Sequence, residues 1–204
     1  VNLFGKSLQE RAVGMISIAH PDFREELFDA AKNFGMIGPE RTLCEAVRGI
    51  YPVKLEQSID IDGEMVTIRP AKPVDERRIQ EHFYSLSKED IFSRFFHEKT
   101  AFGRSEVETK SQIDYIKDLA LVVIVGEFGF GRVVALGESM LLSHNNIAEV
   151  AFSVNKEYQG KGLGRRVLRK LADSARENGV SGLMAYTSPK NRAMISLFKT
   201  LPYK

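Results

Sequence analysis

The sequence has no tryptophan and one cysteine, Cys44, among its 204 residues. A single thiol cannot close an internal disulfide or build a thiolate cage around a metal ion. Its four histidines, His20, His82, His97 and His144, are too scattered to form a local ligand motif, so no metal site is expected. Long apolar runs are missing as well. The longest, Leu119 to Val125, falls far short of the ~20 residues that a membrane span needs. There is little excess charge of either sign: 29 Lys+Arg oppose 27 Asp+Glu, a net +2, which gives no broad electrostatic case for a nucleic-acid partner. No repeat is visible, and 43% hydrophobic with 27% charged residues excludes disordered and low-complexity classes. The N-terminus shows no signal peptide and no initiator Met; opening at Val1, it reads as the start of a fragment of something longer. Nothing depends on oxidising conditions, so cytoplasm is the expected compartment.

What is present begins with two helices. Ser7 and Glu10 have capping-box spacing, and Leu8, Ala12, Met15, Ile16 and Ala19 recur at helical period. His20-Pro21 stops this helix. Asp22 is expected to cap a second one carrying Phe23, Leu27, Ala30, Ala31 and Phe34 and ending at Gly35. Two short amphipathic helices cannot bury both apolar faces alone and call for a partner surface. A connector with Gly38-Pro39, Gly49 and Pro52 leads to a hairpin around Asp62-Gly63, and the domain boundary is expected between 56 and 57. Helices follow over 74–86, 87–96 and 105–117. Strands are expected over 119–128, 132–142 and 147–154, with a hairpin turn in the glycine-rich stretch Gly126 to Gly131. A long amphipathic helix, 164–178, a strand, 180–187, and a last helix from Asn191 complete an α+β pattern: an antiparallel meander with one crossover unit appended.

Gln159-Gly160-Lys161-Gly162-Leu163-Gly164 lies between a strand and a helix N-terminus. Glycines let a backbone approach a ligand closely, and unpaired N–H groups at the positive end of the helix dipole favour phosphate. From Lys156 to Arg176, seven basic residues (Lys156, Lys161, Arg165, Arg166, Arg169, Lys170, Arg176) face two acidic ones, Glu157 and Asp173. Positive charge is concentrated where a pyrophosphate would sit. A P-loop would need Ser or Thr after Lys161, and a dinucleotide fingerprint would need one more residue between Gly162 and Gly164. A glycine-rich helix entry with a solvated basic face remains the plain alternative.

This stretch, preceded by Ala148-Glu-Val-Ala-Phe-Ser-Val154, resembles the acetyl-CoA motif of the GNAT family of N-acetyltransferases, and the resemblance spans about Met65 to Lys204. Val66-Thr-Ile-Arg69-Pro70 is similar to the family's opening strand and Asn191 to Lys199 to its late helix. Asp75-Glu-Arg with Ser87 to Phe96 resembles the bacterial protein lysine acetyltransferases. The resemblance implies a GNAT fold over 57–204, a mixed central sheet flanked by helices, with an N-terminal helical extension over 1–56. Gly5 to Ala12 and Ile16 to Arg24 resemble the tail of the acetyl-CoA hydrolase/transferase family, which implies such a domain fused upstream.

The resemblance also implies roles. Glu149 would be the general base that takes the proton of an acceptor amine. Phe152, Ser153 and Val154 would hold the pantetheine arm of acetyl-CoA, and Gln159, Gly160, Lys161, Gly162, Leu163, Gly164 and Arg165 its pyrophosphate. Asn191 would cap the last helix and touch the same arm. On this reading the chain acetylates an amine, protein lysine by subgroup resemblance. Two departures stand out. Phe198 occupies the place where many members carry a tyrosine acid, with Tyr186 and Tyr203 as weak substitutes. The family also continues past Tyr203 into two further strands, so the sheet edge is expected to be covered either by a further tail or by another copy in a homodimer. These departures keep a second class open, a non-catalytic acetyl-CoA-sensing module of the fused CoA-transferase. A third class, a structural interaction domain, would bind no CoA at all.

Overall fold

The computed structural model of the protein describes residues 3–39, 51–103, 106–107, 110, 115, 117–126, 131–142 and 145–202. Most of the expected helix 105–117, the turn at Glu127 to Phe130, Cys44, His144 and Tyr203 lie outside the described residues. The chain divides into two compact units, Val1–Pro52 with Asp114–Ile116, and Val53–Ile113 with Lys117–Lys204.

In the first unit, α1 (Leu8–Ile18) starts on the expected capping box: Ser7 Oγ accepts from the Glu10 N–H (3.3 Å) and Glu10 Oε2 from the Ser7 N–H (2.7 Å). Helix α2 (Pro21–Asn33) begins two residues earlier than a cap at Asp22 would place it. Pro21 occupies the first helical position, where its missing N–H costs nothing, so Asp22 lies inside the first turn and is not the cap. Val13, Ile16, Phe28, Ala31 and Ile37 form the buried cluster. That face is rotated from the expected one, for Leu8, Met15, Phe23, Leu27 and Phe34 are exposed.

The second unit is built on one six-stranded sheet. Strands β1 (Gln57–Ile61), β2 (Glu64–Pro70), β3 (Asp118–Val125), β4 (Arg132–Leu142) and β5 (Ile147–Val154) are neighbours in sequence order and pair antiparallel. The β1–β2 turn uses Asp62 and Gly63 at φ 55° and 84°, the left-handed pair that a two-residue hairpin requires. Helix α5 (Leu163–Glu177) then crosses to β6 (Gly182–Met184), which lies parallel to β5 and makes the sheet mixed. At three residues β6 is much shorter than the expected 180–187. Helix α6 (Arg192–Phe198) closes the described chain.

Helices cover both faces. On one, Val167, Leu168, Leu171, Ala172 and Ala175 of α5 are buried, as their spacing predicts. A Cβ on Gly137 of β4 would lie 2.3 Å from Val167 Cγ1 and 3.0 Å from Phe152 Cε1, so only glycine admits the helix this closely. On the other face sit α3 (Glu76–Ser85) and α4 (Lys88–Phe95). Ser87 caps α4 by accepting from the Asp90 N–H at 3.1 Å. Phe83 packs against Phe95 and Phe102 with ring centroids 5.5 and 5.2 Å away, fixing α4 against α3. Where β2 leads into α3, fully buried Asp75 takes a two-pronged ion pair from Arg69 (2.6 and 2.7 Å) and accepts the Lys72 N–H (2.9 Å). A buried carboxylate satisfied this completely pins the junction, and Arg78 of α3 adds a further contact at 3.2 Å.

Candidate active site

Strand β5 pairs with β4 along its whole length but with β6 only over Ile147–Glu149. From Val150 onward its outer edge has no strand beside it among the described residues. The Asn155 N–H donates to the Val134 carbonyl at 2.8 Å. That bond makes Ala135 and Val154 a pair without mutual hydrogen bonds. Val154, and by the two-residue period Phe152 and Val150, therefore turn their backbone N–H and C=O toward the open edge. An extended amide-bearing ligand can lie there as an additional strand. Ser153 faces the other way: its backbone is turned to β4, and its buried Oγ lies 2.8 Å from His82 Nε2 of α3.

The open edge runs into the glycine loop. Gly160 and Gly162 adopt φ 76° and 79°, and a Cβ on either would meet nothing within 4 Å. The loop therefore leaves open space above its backbone. Gly162 is the N-cap of α5, and the Arg166 N–H makes the first helical bond to its carbonyl (3.2 Å), leaving the preceding amides of the first turn without helical partners. Leu163 is buried and anchors the turn, Gly164 packs beside Leu197, and Arg165 is exposed at the rim. Gln159 braces the loop, donating from Nε2 to the Val154 carbonyl and to Asp90 Oδ1 of α4, both at 3.0 Å. Lys161 Nζ sits 2.9 Å from Asp62 Oδ2 at the hairpin tip and over the Tyr158 ring. The Tyr158 hydroxyl donates to Glu64 Oε2 (2.8 Å), and burial together with that bond raises its pKa. On α6, Asn191 accepts the Met194 N–H at 3.0 Å, the expected cap.

Glu149 stands where β6 leaves β5. It lines a cavity of about 450 Å³ together with Arg94, Phe95, Phe96, Tyr186 and Thr187. Phe96 ends α4 at φ 59°, a left-handed conformation that is costly for a bulky side chain. Beside the cavity, Glu138 of β4 is only 3% exposed and is paired with both Arg94 and Lys110. Burial pushes its carboxyl up, but the two cations more than reverse this, so its pKa lies below the ordinary carboxylate value.

The structure thus lines up Glu149, Phe152, Val154, Gln159 and the loop to Arg165 along one edge, with Ser153 in the wall behind. The sequence reading missed Arg94, Phe95, Phe96, Thr187 and Glu138. Among the described residues, no group of three or more His, Cys, Asp or Glu could hold a metal ion, and no helix is long and apolar enough to cross a membrane.

A sheet that parts beside a glycine-capped helix, with a carboxylate at the fork, suits an extended ligand that ends in phosphates. The model of the acetyltransferase (GNAT) family matches residues 84–201, and that of the acetyl-CoA hydrolase/transferase C-terminal domain matches residues 1–31. An acetyltransferase of Pseudomonas aeruginosa is 32% identical over 141 residues, covering 69% of this chain and 75% of that protein. The acetyltransferase Pat of Mycolicibacterium smegmatis is 31% identical over 140 residues, covering 68% of this chain but 41% of that protein. The GNAT domain of S. lividans PAT superposes with a TM-score of 0.66 at 26% identity, over 76% of this chain and 90% of that one. The chain belongs to the GNAT family of acetyltransferases, enzymes that take their acyl group from acetyl-CoA.

Proposed function

We propose that this chain transfers the acetyl group of acetyl-CoA to the ε-amine of a protein lysine, with Glu149 as general base. The observation that carries this reading is the continuous track from the glycine loop, along the open edge of β5, to the cavity at Glu149. The residues fit the cosubstrate. The loop offers room at Gly160 and Gly162 and positive charge at Lys161 and Arg165 for a pyrophosphate. Phe152 and Val154 offer backbone groups to the amides of the pantetheine arm, and Asn191 stands on the helix beyond. Acetyl-CoA supplies the activated thioester.

Glu149 receives a proton from the incoming ammonium, directly or through one water. The freed amine nitrogen bonds to the acetyl carbonyl carbon and the carbon–sulfur bond breaks; the second proton that the nitrogen sheds goes, through solvent, to the departing thiolate. Backbone N–H groups of the open edge stabilise the charge that develops on the carbonyl oxygen. Phe95, Phe96 and Tyr186 suit the alkyl stem of a lysine, and a carboxylate at the cavity's end suits its ammonium.

Incubating the wild type and Glu149→Gln with acetyl-CoA and a cell lysate, with acetyl-lysine counted by mass spectrometry, tests this. Loss of roughly 10²–10⁴-fold in the variant is expected. Wild-type levels in the variant would remove Glu149 from the mechanism. A second reading, an acetyl-CoA-sensing module, is favoured by Phe198, a half-buried side chain of α6 with no proton to give. Acetyl-CoA binding without acetylation by the wild type would select it. The exposed Phe4, Leu8, Phe23 and Leu27 of the first unit, with the family match over residues 1–31, support its packing on an acetyl-CoA hydrolase/transferase domain.

A further inference from the structure

The end of α4 lines the cavity at Glu149 with Arg94, Phe95 and Phe96, and the chain beyond β6 lines it with Tyr186 and Thr187. Among the described residues, four other than glycine adopt a positive φ: Asp62, Phe96, Tyr115 and Asn146. Asp and Asn tolerate this backbone, because their short polar side chains bond locally. Tyr115 is buried with its ring 5.6 Å from that of Tyr51, so packing offsets its strain. Phe96 has no such support. It is 48% exposed, and its ring meets no other ring and no cation among the described residues. Its N–H closes α4 by donating to the Phe92 carbonyl at 2.8 Å, a place where glycine or asparagine would serve without strain. A left-handed aromatic residue that the fold does not bury, on the lining of a cavity, points to a ligand contact as what offsets its cost. Tyr186, also on that lining, is 64% exposed.

We propose that Phe96 sets the length of amine that the enzyme accepts: its ring takes up the methylene groups of an unbranched alkyl amine whose nitrogen is delivered to Glu149. A stem as long as that of lysine covers the ring and still reaches the carboxylate. A shorter stem leaves the ring wet or the nitrogen short. The left-handed backbone fixes where the Cβ of Phe96 leaves the end of α4, so the ring is offered from a set place. The proposal rests on the reading of Glu149 as the group that meets the amine.

Two N-terminally blocked peptide libraries with randomised, amine-free flanks test it, one centred on a single lysine and the other on ornithine, one methylene shorter. CoA release gives kcat/KM for each. The wild type should favour lysine by about tenfold or more, the worth of a methylene in an apolar pocket. The ratio should fall toward one in F96A and F96G, and F96Y should restore it. Loss of packing alone lowers both libraries together and leaves the ratio standing, which overturns the proposal. F96G frees the backbone as well as removing the ring, so it should melt higher than F96A; if it melts lower, the strain on which the argument rests is not there. E149Q on the lysine library judges the base separately, since a wild-type rate there refutes that role whatever the ratios show. A wild type that turns over neither library refutes the lysine reading, and this proposal with it.

Discussion

His82 should make the fold acid-labile well above the carboxylate range. Its imidazole is 1% exposed beneath the sheet, in contact with Ser153 Oγ, and burial pulls its pKa down from 6.5 to about 4, with nearby backbone and Asn155 only partly offsetting that. The sign follows from proton counting. Between about pH 4 and 6.5 the unfolded chain carries a proton on this ring that the folded chain refuses, so acid favours unfolding. The contribution is whole above pH 6.5 and shrinks as pH falls toward 4. Between pH 7 and pH 5 the gap of roughly 2.5 pH units translates into a loss of about 2 kcal/mol. Urea unfolding of the second unit at both pH values measures it, with His82→Gln as the reference. Glutamine keeps a hydrogen-bonding group near Nε2 but does not titrate. The stability difference between the two proteins should shift by about 2 kcal/mol toward the variant at pH 5. Glu138, whose carboxyl is held low, does not contribute in that window. A difference that is independent of pH, or an imidazole resonance titrating near 6.5, would refute the account.

Other substitutions probe the two glycines that shape the site. Gly137→Ala should cost about 1–3 kcal/mol by overpacking against Val167 and Phe152, and the added Val167→Ala should recover most of it; thermal unfolding of the pair decides. Gly162→Val has open space but the wrong backbone, so the loop should relax rather than the fold collapse. A left-handed penalty of roughly 1–2 kcal/mol per residue corresponds to a 5–30-fold rise in the acetyl-CoA Kd, readable by calorimetry with unchanged melting temperature. Unaltered affinity would mean that the loop's conformation is not the one used for binding.

What could be read from the sequence was local. Ser7 with Glu10, Asp62-Gly63 and the glycines before α5 each follow from rules about a few adjacent residues, and the structure has all three. The period-2 pattern of 147–154 likewise separates Phe152 from Glu149 without reference to anything else. The cavity at Glu149 was not legible in this way. Arg94 to Phe96 are far in sequence from Glu149 and meet it only because the Phe83–Phe95–Phe102 cluster seats α4 over β5. The apolar faces of α1 and α2 were mislaid for a related reason. Both helices carry more apolar residues than one face can use, so Leu8 and Phe23 fit the period as well as Val13 and Phe28 do. One signal was there and went unused. Glu138 interrupts a strand apolar on both sides, and a charge in such a place requires a partner of opposite sign brought from elsewhere in the fold. With Gly137 beside it, the dipeptide marks the point where both faces of the sheet are constrained at once, by the approach of α5 on one and by Arg94 on the other. The sheet positions its open edge and Glu149 from its own strands, whereas Arg94 is brought to the cavity by a helix, and its one sequence trace is the buried charge of Glu138 that it pairs with.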